Sequence, residues 1–229
     1  MVSVRRSLPS AVSFANLICG MLAIVLAVEG ELWYAGALIL LGYLLDGLDG
    51  ILARRLGVAS DFGIQLDSLV DIVNFGAASA ILVIQHLRIA GLRGWAVWIP
   101  VLLFVMAGAY RLARFNLYAP KGKTPDTLGL TISTSGAFVT LAVLSNLSAG
   151  SRLFPAWIFI PLLIIVAGLM ASRIRFPEFN HMIRHRWASV GFLSACFALT
   201  LVLQPVIIWF SVTTGYISFG LARAVVRSL

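Results

Sequence analysis

The segment DGLDGILARRLGVASDFGIQLDSLVD, residues 46–71, contains five of the 9 acidic residues in this 229-residue chain. Four of the five, Asp46, Asp49, Asp67 and Asp71, lie within apolar sequence of the kind that forms membrane helices. An aspartate near the centre of a bilayer costs about 2.5–3.5 kcal/mol even on a lenient insertion scale. Four such residues close together therefore indicate a functional site rather than a structural one.

The spacing of these aspartates predicts their arrangement. Asp46 and Asp49 are three residues apart and share a helix face, as do Asp67 and Asp71, four apart, on the next helix. The turn between the two helices makes them an antiparallel hairpin, in which Asp46 lies level with Asp71, and Asp49 with Asp67. At about 1.5 Å per residue, the deeper level is about 12 Å from the helix ends. The sequence thus predicts a carboxylate cluster that can be reached from one membrane face.

The composition of the whole chain places these helices in a membrane. Hydrophobic residues make up 60% of it and charged residues 11%, and the mean hydropathy is +0.99. Since about a quarter of the residues in a soluble domain are charged, this composition excludes one. The formal net charge of +8 is explained by basic residues in cytoplasmic loops and predicts no nucleic-acid partner.

Apolar runs long enough to cross a bilayer, about 20 residues each, recur along the chain. They lie at residues 10–28, 32–54, 64–87, 95–118, 128–148, 155–172 and 188–213. Because Pro205 and Gly215 lie inside or after the last run, two short helices between 188 and 222 are the alternative there. The prediction is an all-α integral membrane protein, one domain over residues 1–229, with a six-transmembrane-helix core and one or two additional C-terminal helices.

Basic residues between the runs predict the orientation of the chain. The side of the N-terminus holds Arg5, Arg6, Arg54, Arg55, Arg111, Arg114, Lys121, Lys123, Arg173, Arg175, Arg184 and Arg186, and the other side holds Arg88, Arg93 and Arg152. This excess predicts a multi-pass protein of the cell membrane with its N-terminus and its aspartate site on the cytoplasmic side. A removable leader peptide is the alternative for the first run, but no small-residue cleavage pattern follows it, which favours a transmembrane helix.

Converging carboxylates need cations, because four of them cannot all stay ionised without neutralisation. Oxygen ligands of high charge select Mg²⁺ or Mn²⁺, and four acids suit two ions. Sites with two ions hold the attacking and leaving oxygens of phosphoryl transfer. Gly50 and Ala53 on the same helix face let a substrate approach the backbone, and Arg54 can donate two hydrogen bonds to a phosphate.

The same segment resembles the signature of the CDP-alcohol phosphatidyltransferase family, which is DxxDGxxAR, eight residues, then GxxxDxxxD. The signature positions are filled by Asp46, Asp49, Gly50, Ala53, Arg54, Gly63, Asp67 and Asp71. The resemblance implies a membrane enzyme, usually a homodimer, that joins a CDP-activated lipid to an alcohol and releases CMP. It also implies that the four aspartates bind the metals, that Asp71 is in addition the general base, and that the Gly, Ala and Arg positions bind the CDP group.

Other stretches resemble the phosphatidylserine synthase branch of that family. They are SFANLICGMLAI at 13–24, DFGIQLDSLVDIVNFGAASA at 61–80, RLARFN at 111–116 and LMASRIRFPEF at 169–179. The branch implies CDP-diacylglycerol and L-serine as substrates. The chain departs from it at Asn74 and Ser79, where Ser and Pro are usual, and at 129–131, where GLT replaces GLP. Since these departures concern the choice of alcohol, transfer to glycerol phosphate or inositol is the alternative.

A serine acceptor needs a cation for its carboxylate. Arg111 and Arg114, three residues apart near a helix end, are the candidates, with Asn116 and Asn74 as polar neighbours. Anchoring at the cytoplasmic membrane face is the alternative role for the two arginines.

Two further polar positions lie in apolar helices. Asn16 is either an interhelical hydrogen-bonder or, as the resemblance implies, a contact of the nucleotide. The Ser-Thr-Ser stretch at 133–135 is interpreted as helix-packing residues.

Intramembrane acids also line the pathways of cation transporters, which are the alternative class of protein. A transporter needs carboxylates distributed across the bilayer. Here all four lie near one face, beside an arginine and glycines that suit a phosphate. The sequence therefore favours a transferase.

Overall fold

The computed structural model describes residues 2–56, 60–118, 126–150, 153–177 and 205–228, and helices dominate them. The α-helices are α1 (Val2–Glu29), α2 (Leu32–Leu56), α3 (Asp61–Asp71), α4 (Ser79–Ile89), α5 (Trp95–Tyr118), α6 (Ile132–Ser148), α7 (Phe159–Ala171) and α8 (Pro205–Ser228). A π-helical segment, Ile72–Ala78, joins α3 to α4, and a 3-10 turn, Ala156–Ile158, precedes α7. Two short strands, β1 (Asp126–Leu128) and β2 (Arg175–Pro177), pair antiparallel.

Five helical stretches of the described chain are long and apolar enough to cross a membrane. They are Pro9–Glu29, Leu32–Leu52, Asp61–Ile89, Trp95–Leu117 and Val206–Val226, and the apolar helices Ile132–Ser148 and Ala156–Ala171 are shorter. The first four coincide with predicted runs. The prediction of a largely helical, multi-pass membrane protein is therefore confirmed, while the count of six core spans stays a prediction.

The last described helix differs from the predicted run at 188–213. α8 begins at Pro205 and continues through Gly215 to Ser228. Proline suits a first helical position, because its φ is helical and its missing N–H has no helical partner there. Pro205 thus starts a helix instead of interrupting one, and the earlier part of the predicted run, 188–204, lies outside the described residues.

The β1–β2 pair is a short addition to the helical architecture that the sequence predicts. Its three residue pairs join positions 126–128 to positions 175–177. The strand also moves the start of α6 from the predicted residue 128 to Ile132, where Thr131 caps the helix. The two strands are three residues long and far apart in sequence, too short to show an alternating hydrophobic pattern. The sequence could therefore not indicate that they pair.

Two short turns reverse the chain, after α1 and after α4, and the bundle has two distinct ends. Gly30, with a φ of 90°, turns α1 into α2, and residues 90–94 turn α4 into α5. The four aspartates lie toward one end, here called the aspartate end, and Arg88 and Arg93 lie at the opposite end. At about 1.5 Å per residue, Asp67 and Arg88 of one continuous helix are about 30 Å apart, which matches the hydrocarbon thickness of a bilayer.

Glycines let α2 and α6 approach the π segment closely. A methyl group added at Gly136 of α6 would lie 2.6 Å from the carbonyl oxygen of Phe75. One added at Gly42 of α2 would overlap the amide group of Asn74. Both helices therefore pack directly on the segment that follows Asp71.

Aromatic rings attach α8 to the rest of the bundle. Phe210 stacks on Phe138 of α6, with ring centroids 5.4 Å apart, and Tyr216 contacts Phe176 of β2 at 6.4 Å. The ring of Phe176 is fully buried, and it leaves no room for a methyl group at Gly220. These contacts bring the C-terminal half of α8 to the aspartate end.

Gly136→Ala is expected to destabilise the bundle, because the added methyl group would collide with backbone atoms of Phe75, which cannot turn aside as a side chain can. Overpacking of this kind costs about 1–3 kcal/mol. Thermal unfolding of the purified protein in detergent should show this as a lower Tm. Gly168→Ala in α7 is the matched control, since nothing lies within 4 Å of its added methyl group. Helix propensity predicts an unchanged or slightly raised Tm for the control, and equal losses in both variants would contradict the packing described.

Candidate active site

Three of the four predicted aspartates meet in one cluster. One carboxylate oxygen from each of Asp46, Asp49 and Asp67 lies within 4.8 Å of the others. Asp46 and Asp49 belong to the C-terminal half of α2, and Asp67 belongs to α3. The α2–α3 hairpin thus concentrates negative charge at the aspartate end.

The first helix supplies a hydrogen bond to this cluster. Ser13 Oγ of α1 donates to Asp49 Oδ2 at 2.9 Å, and both residues are buried. Ser13 is absent from the predicted site. A sequence signal for it existed, because Ser13, Asn16 and Gly20 follow i, i+3, i+7 spacing and share one helix face.

Asp71 lies one turn beyond Asp67, where α3 changes into the π segment. Its side chain is buried, and its Oδ2 accepts a hydrogen bond from Ser133 Oγ at 3.3 Å. Its Oδ1 has no hydrogen-bond partner among the described residues. Single π turns are frequent at functional sites. The residue predicted as the base therefore keeps one buried oxygen for a ligand.

The stretch at 133–135 has more than the packing role predicted for it. Ser133 contacts Asp71, whereas Ser135 Oγ donates to the Thr131 carbonyl of its own helix start at 2.8 Å. Both residues have the same type and lie two positions apart. Sequence spacing alone could not distinguish the roles of the two serines, because the role of Ser133 depends on how α6 is placed against α3.

Arg111 places a buried cation beside the carboxylates. Its side chain is 6% exposed, and its guanidinium interacts electrostatically with Asp71, Asp46 and the phenol of Tyr216 in α8. Its Nε has no hydrogen-bond partner in the described part of the chain, and its Cζ lies 5.2 Å from the ring centroid of Phe115. A buried guanidinium with an unused donor suits an anionic ligand.

Arg114, the second predicted acceptor arginine, binds protein backbone. Its guanidinium donates to the carbonyl oxygens of Leu128, Met170, Ala171 and Ser172 over 2.9–3.4 Å. Three of these carbonyls lie at the end of α7, where the last carbonyls lack partners within the helix. Arg114 thus joins α5 to α7 and β1, and its contact with an acceptor stays a prediction.

The predicted asparagines form two separate hydrogen-bonded pairs. Asn74 Nδ2 donates to Asn16 Oδ1 at 2.6 Å, with both side chains fully buried. Asn116 Nδ2 donates to Ser68 Oγ at 3.0 Å. The residues predicted to contact the nucleotide (Asn16) and the acceptor (Asn74) therefore touch each other. Within the described residues, Asn16 Nδ2 and Asn74 Oδ1 have no further partner.

The positions predicted to bind the CDP group lie along the same hairpin. Gly50 belongs to α2, and the N–H of Gly63 donates to Ser60 Oγ at 3.1 Å in the first turn of α3. The backbone of Ala53 and Arg54 belongs to α2, but their side chains lie outside the described part of the structure. The roles of these residues stay predictions.

The donor set of the cluster fits a hard divalent cation. The atoms that converge are all carboxylate oxygens, the ligands that Mg²⁺ and Mn²⁺ prefer. Asp67 Oδ1 is buried and has no hydrogen-bond partner among the residues described. Such an oxygen is costly unless a cation or a donor meets it. The three aspartates therefore form a candidate metal site.

A cluster of carboxylates and a buried arginine, at one end of an apolar helical bundle, define a multi-pass membrane protein with an intramembrane polar site. Residues 6–166 match the CDP-alcohol phosphatidyltransferase family. The chain belongs to this family and is therefore a transferase of phospholipid biosynthesis.

Named relatives cover most of the chain. It is 30% identical over 222 residues to a CDP-diacylglycerol–serine O-phosphatidyltransferase of Helicobacter pylori, which covers 94% of this chain and 90% of the relative. It is 33% identical over 186 residues to a protein of the same name from Methanocaldococcus jannaschii, covering 80% and 81%. It is 34% identical over 183 residues to an archaetidylserine synthase of Methanothermobacter thermautotrophicus, covering 77% and 72%.

Ser133→Ala is expected to lower turnover at least tenfold, because it removes the hydrogen bond to Asp71 Oδ2. Hydrogen bonds to charged groups contribute about 1.5–3 kcal/mol. Release of CMP from CDP-diacylglycerol by the purified protein measures the effect. Ser135→Ala is the matched control, since its lost hydrogen bond lies within α6, and its turnover should stay within twofold of the wild type. Similar turnover in the two variants would show that Ser133 does not position Asp71.

Proposed function

We propose that this enzyme transfers the phosphatidyl group of CDP-diacylglycerol to the hydroxyl of L-serine, releasing CMP and forming phosphatidylserine. The observation that carries the proposal is the buried Arg111 beside Asp71, with an Nε that no described residue binds. This pairing offers a cation for the carboxylate of the acceptor next to a base for its hydroxyl. The names of the Helicobacter and Methanocaldococcus relatives specify the same reaction.

We further propose that Asp46, Asp49, Asp67 and Asp71 hold two Mg²⁺ or Mn²⁺ ions. Bound there, the ions would offset the negative charge of the lipid phosphate and of the departing CMP. The support is the convergence of three carboxylates and the unpartnered oxygens of Asp67 and Asp71 among the described residues.

Asp71 is the proposed general base. An aliphatic hydroxyl does not ionise at neutral pH, so its proton must leave during attack. In a direct transfer, the serine oxygen forms a bond to the lipid-side phosphorus, the bond from that phosphorus to the CMP oxygen breaks, and the serine proton passes to Asp71.

The acceptor site divides into a residue that binds and residues that position. Arg111 binds the carboxylate of serine. Arg114 fixes the end of α5 through its four carbonyl contacts, and Asn116 ties the same helix end to Ser68, the neighbour of Asp67. Asn74 belongs to the π segment, and its hydrogen bond to Asn16 holds this segment against α1 beside the acceptor site.

The donor is bound along α2 and α3 in this proposal. Gly50, Ala53, Arg54 and Gly63 contact the CDP group, with Asn16 near the nucleotide. Water-soluble serine and CMP exchange at the aspartate end, which the basic residues predict to face the cytoplasm. A homodimer of single-domain subunits in the cell membrane, each with its N-terminus inside, completes the proposal.

Phosphatidyl transfer is favoured over cation transport. The four intramembrane carboxylates lie toward one end of the bundle instead of along a path across it, and the family of the chain consists of transferases. Within that family, glycerol phosphate and inositol are the acceptors that compete with serine.

Excess EDTA is expected to abolish CMP release from CDP-diacylglycerol, and Mg²⁺ or Mn²⁺ to restore it. Asp67→Asn keeps the shape of the side chain but removes a charged ligand, so it should raise the half-saturating metal concentration at least tenfold. Asp61→Asn is the matched control, because Asp61 begins α3 outside the cluster. It should respond to metal as the wild type does. Full turnover in EDTA would contradict the metal proposal.

Arg111→Gln is expected to raise the half-saturating concentration of serine at least tenfold, or about 1.4 kcal/mol. Losing one partner of a desolvated charge pair costs about 2–5 kcal/mol, which makes tenfold a lower limit. Turnover is measured with radiolabelled serine, and binding of CDP-diacylglycerol, measured separately, should be nearly unchanged.

Two comparisons decide between acceptors and between roles. Ethanolamine, which lacks the carboxylate, should be a poor acceptor for the wild type. Incorporation of glycerol phosphate or inositol without serine would refute the serine proposal and leave the transferase assignment unchanged.

Arg114→Gln should lower the Tm more than Arg111→Gln does, since it removes four backbone contacts.

A further inference from the structure

A cavity of about 300 Å³ lies at the end of the bundle opposite to the aspartates. It forms where α4 turns into α5, and Arg88, Arg93, Gly94 and Trp98 are among its lining residues. Its volume equals the lower limit of small-molecule sites, which span about 300–1,000 Å³. No residue proposed for phosphatidyl transfer contributes to it.

The charge of this cavity is positive. No described acidic residue forms an ion pair with Arg88 or Arg93, and the guanidinium of Arg88 lies 5.5 Å from the ring centroid of Trp98. The cavity also adjoins the start of α5, where the Gly94 carbonyl accepts from the N–H groups of Val97 and Trp98. Arg88 lies in the last turn of α4 and Arg93 just before the start of α5. Two arginines with no ion-pair partner among the described residues favour an anion with more than one oxygen acceptor.

An apolar groove of about 380 Å³ continues from the cavity along α5. Gly94, Trp95, Trp98 and Leu102 line it, so it shares Gly94 and Trp98 with the basic cavity. From Trp98 to Leu102 it follows one face of the membrane-spanning stretch that begins at Trp95. Trp95 is 76% exposed and Leu102 51% exposed, which gives this face a large apolar surface.

We propose that the cavity and the groove together bind one anionic glycerophospholipid from the leaflet opposite to the active site. Its phosphate lies between Arg88 and Arg93, and an acyl chain follows the groove past Trp98 to Leu102. Arginine guanidinium groups bind phosphate oxygens through paired hydrogen bonds, and tryptophan at such a level is typical of the membrane interface. The continuity of a basic cavity with an apolar groove favours a lipid over a free phosphate ion, which has no use for the groove.

Native mass spectrometry of the delipidated, full-length protein tests this site with phosphatidylglycerol as the probe. The double variant Arg88→Gln/Arg93→Gln should raise the Kd for phosphatidylglycerol at least tenfold. Arg173→Gln/Arg175→Gln is the matched control, since it removes two exposed arginines at the aspartate end, and it should bind as the wild type does. The measurement does not use turnover, so its outcome is independent of the acceptor alcohol.

A second variant separates the groove from the cavity. Leu102→Trp fills the groove without changing either arginine, and it should weaken phosphatidylglycerol binding at least threefold. Wild-type binding by the Arg88/Arg93 double variant or by the Leu102 variant would overturn the proposal. Equal affinity for phosphatidylcholine would also overturn it, because a lipid without net charge would then bind as well as an anionic one. So would displacement of the lipid by inorganic phosphate at matched concentration, because binding would then not depend on the groove.

Discussion

A carboxylate held at membrane depth must be met by donors or cations, because its burial there costs about 2.5–3.5 kcal/mol even on a lenient scale. Four carboxylates on one helical hairpin impose this requirement on every neighbouring helix. α1 meets it with Ser13 on Asp49, α6 with Ser133 on Asp71, and α5 with the charge of Arg111. The bundle at the aspartate end can thus be understood as the set of helices that bring these groups to the hairpin.

The short reach of serine makes close helix packing a condition of the site. A serine hydroxyl lies one bond beyond Cβ, so α1 and α6 must approach the hairpin closely for Ser13 and Ser133 to act as donors. Gly136 allows α6 to lie against the carbonyl of Phe75, four residues after Asp71. The packing of α6 and the hydrogen bond to Asp71 are therefore linked here, because a bulkier residue at this contact would move Ser133 away from Asp71.

Local spacing predicted the part of the site that one hairpin builds. The i, i+3 and i, i+4 intervals of the aspartates place them on facing helix surfaces, and Asp46, Asp49 and Asp67 do converge. Contacts between distant segments left no such signal. The β1–β2 pair, the carbonyl contacts of Arg114 and the contact of Ser133 with Asp71 all depend on the relative placement of α5, α6 and α7. Arg111 and Arg114 have the same side chain and lie three positions apart, and only their surroundings separate a buried arginine with an unpartnered Nε from one that binds backbone carbonyls.

Two of the departures from the serine branch, at Asn74 and Ser79, can be explained by packing instead of by a different acceptor. Asn74, where the branch usually has Ser, donates its amide to Asn16 and fills the space beside Gly42. Ser79, where Pro is usual, donates its hydroxyl to the carbonyl of Phe75, and a proline there would have no hydroxyl for that carbonyl. Both side chains are fully buried and are bound to protein groups. Arg111, the residue proposed to bind the carboxylate of the acceptor, is not among the changed positions. These two departures therefore give no physical reason to replace serine with another alcohol in the proposed function.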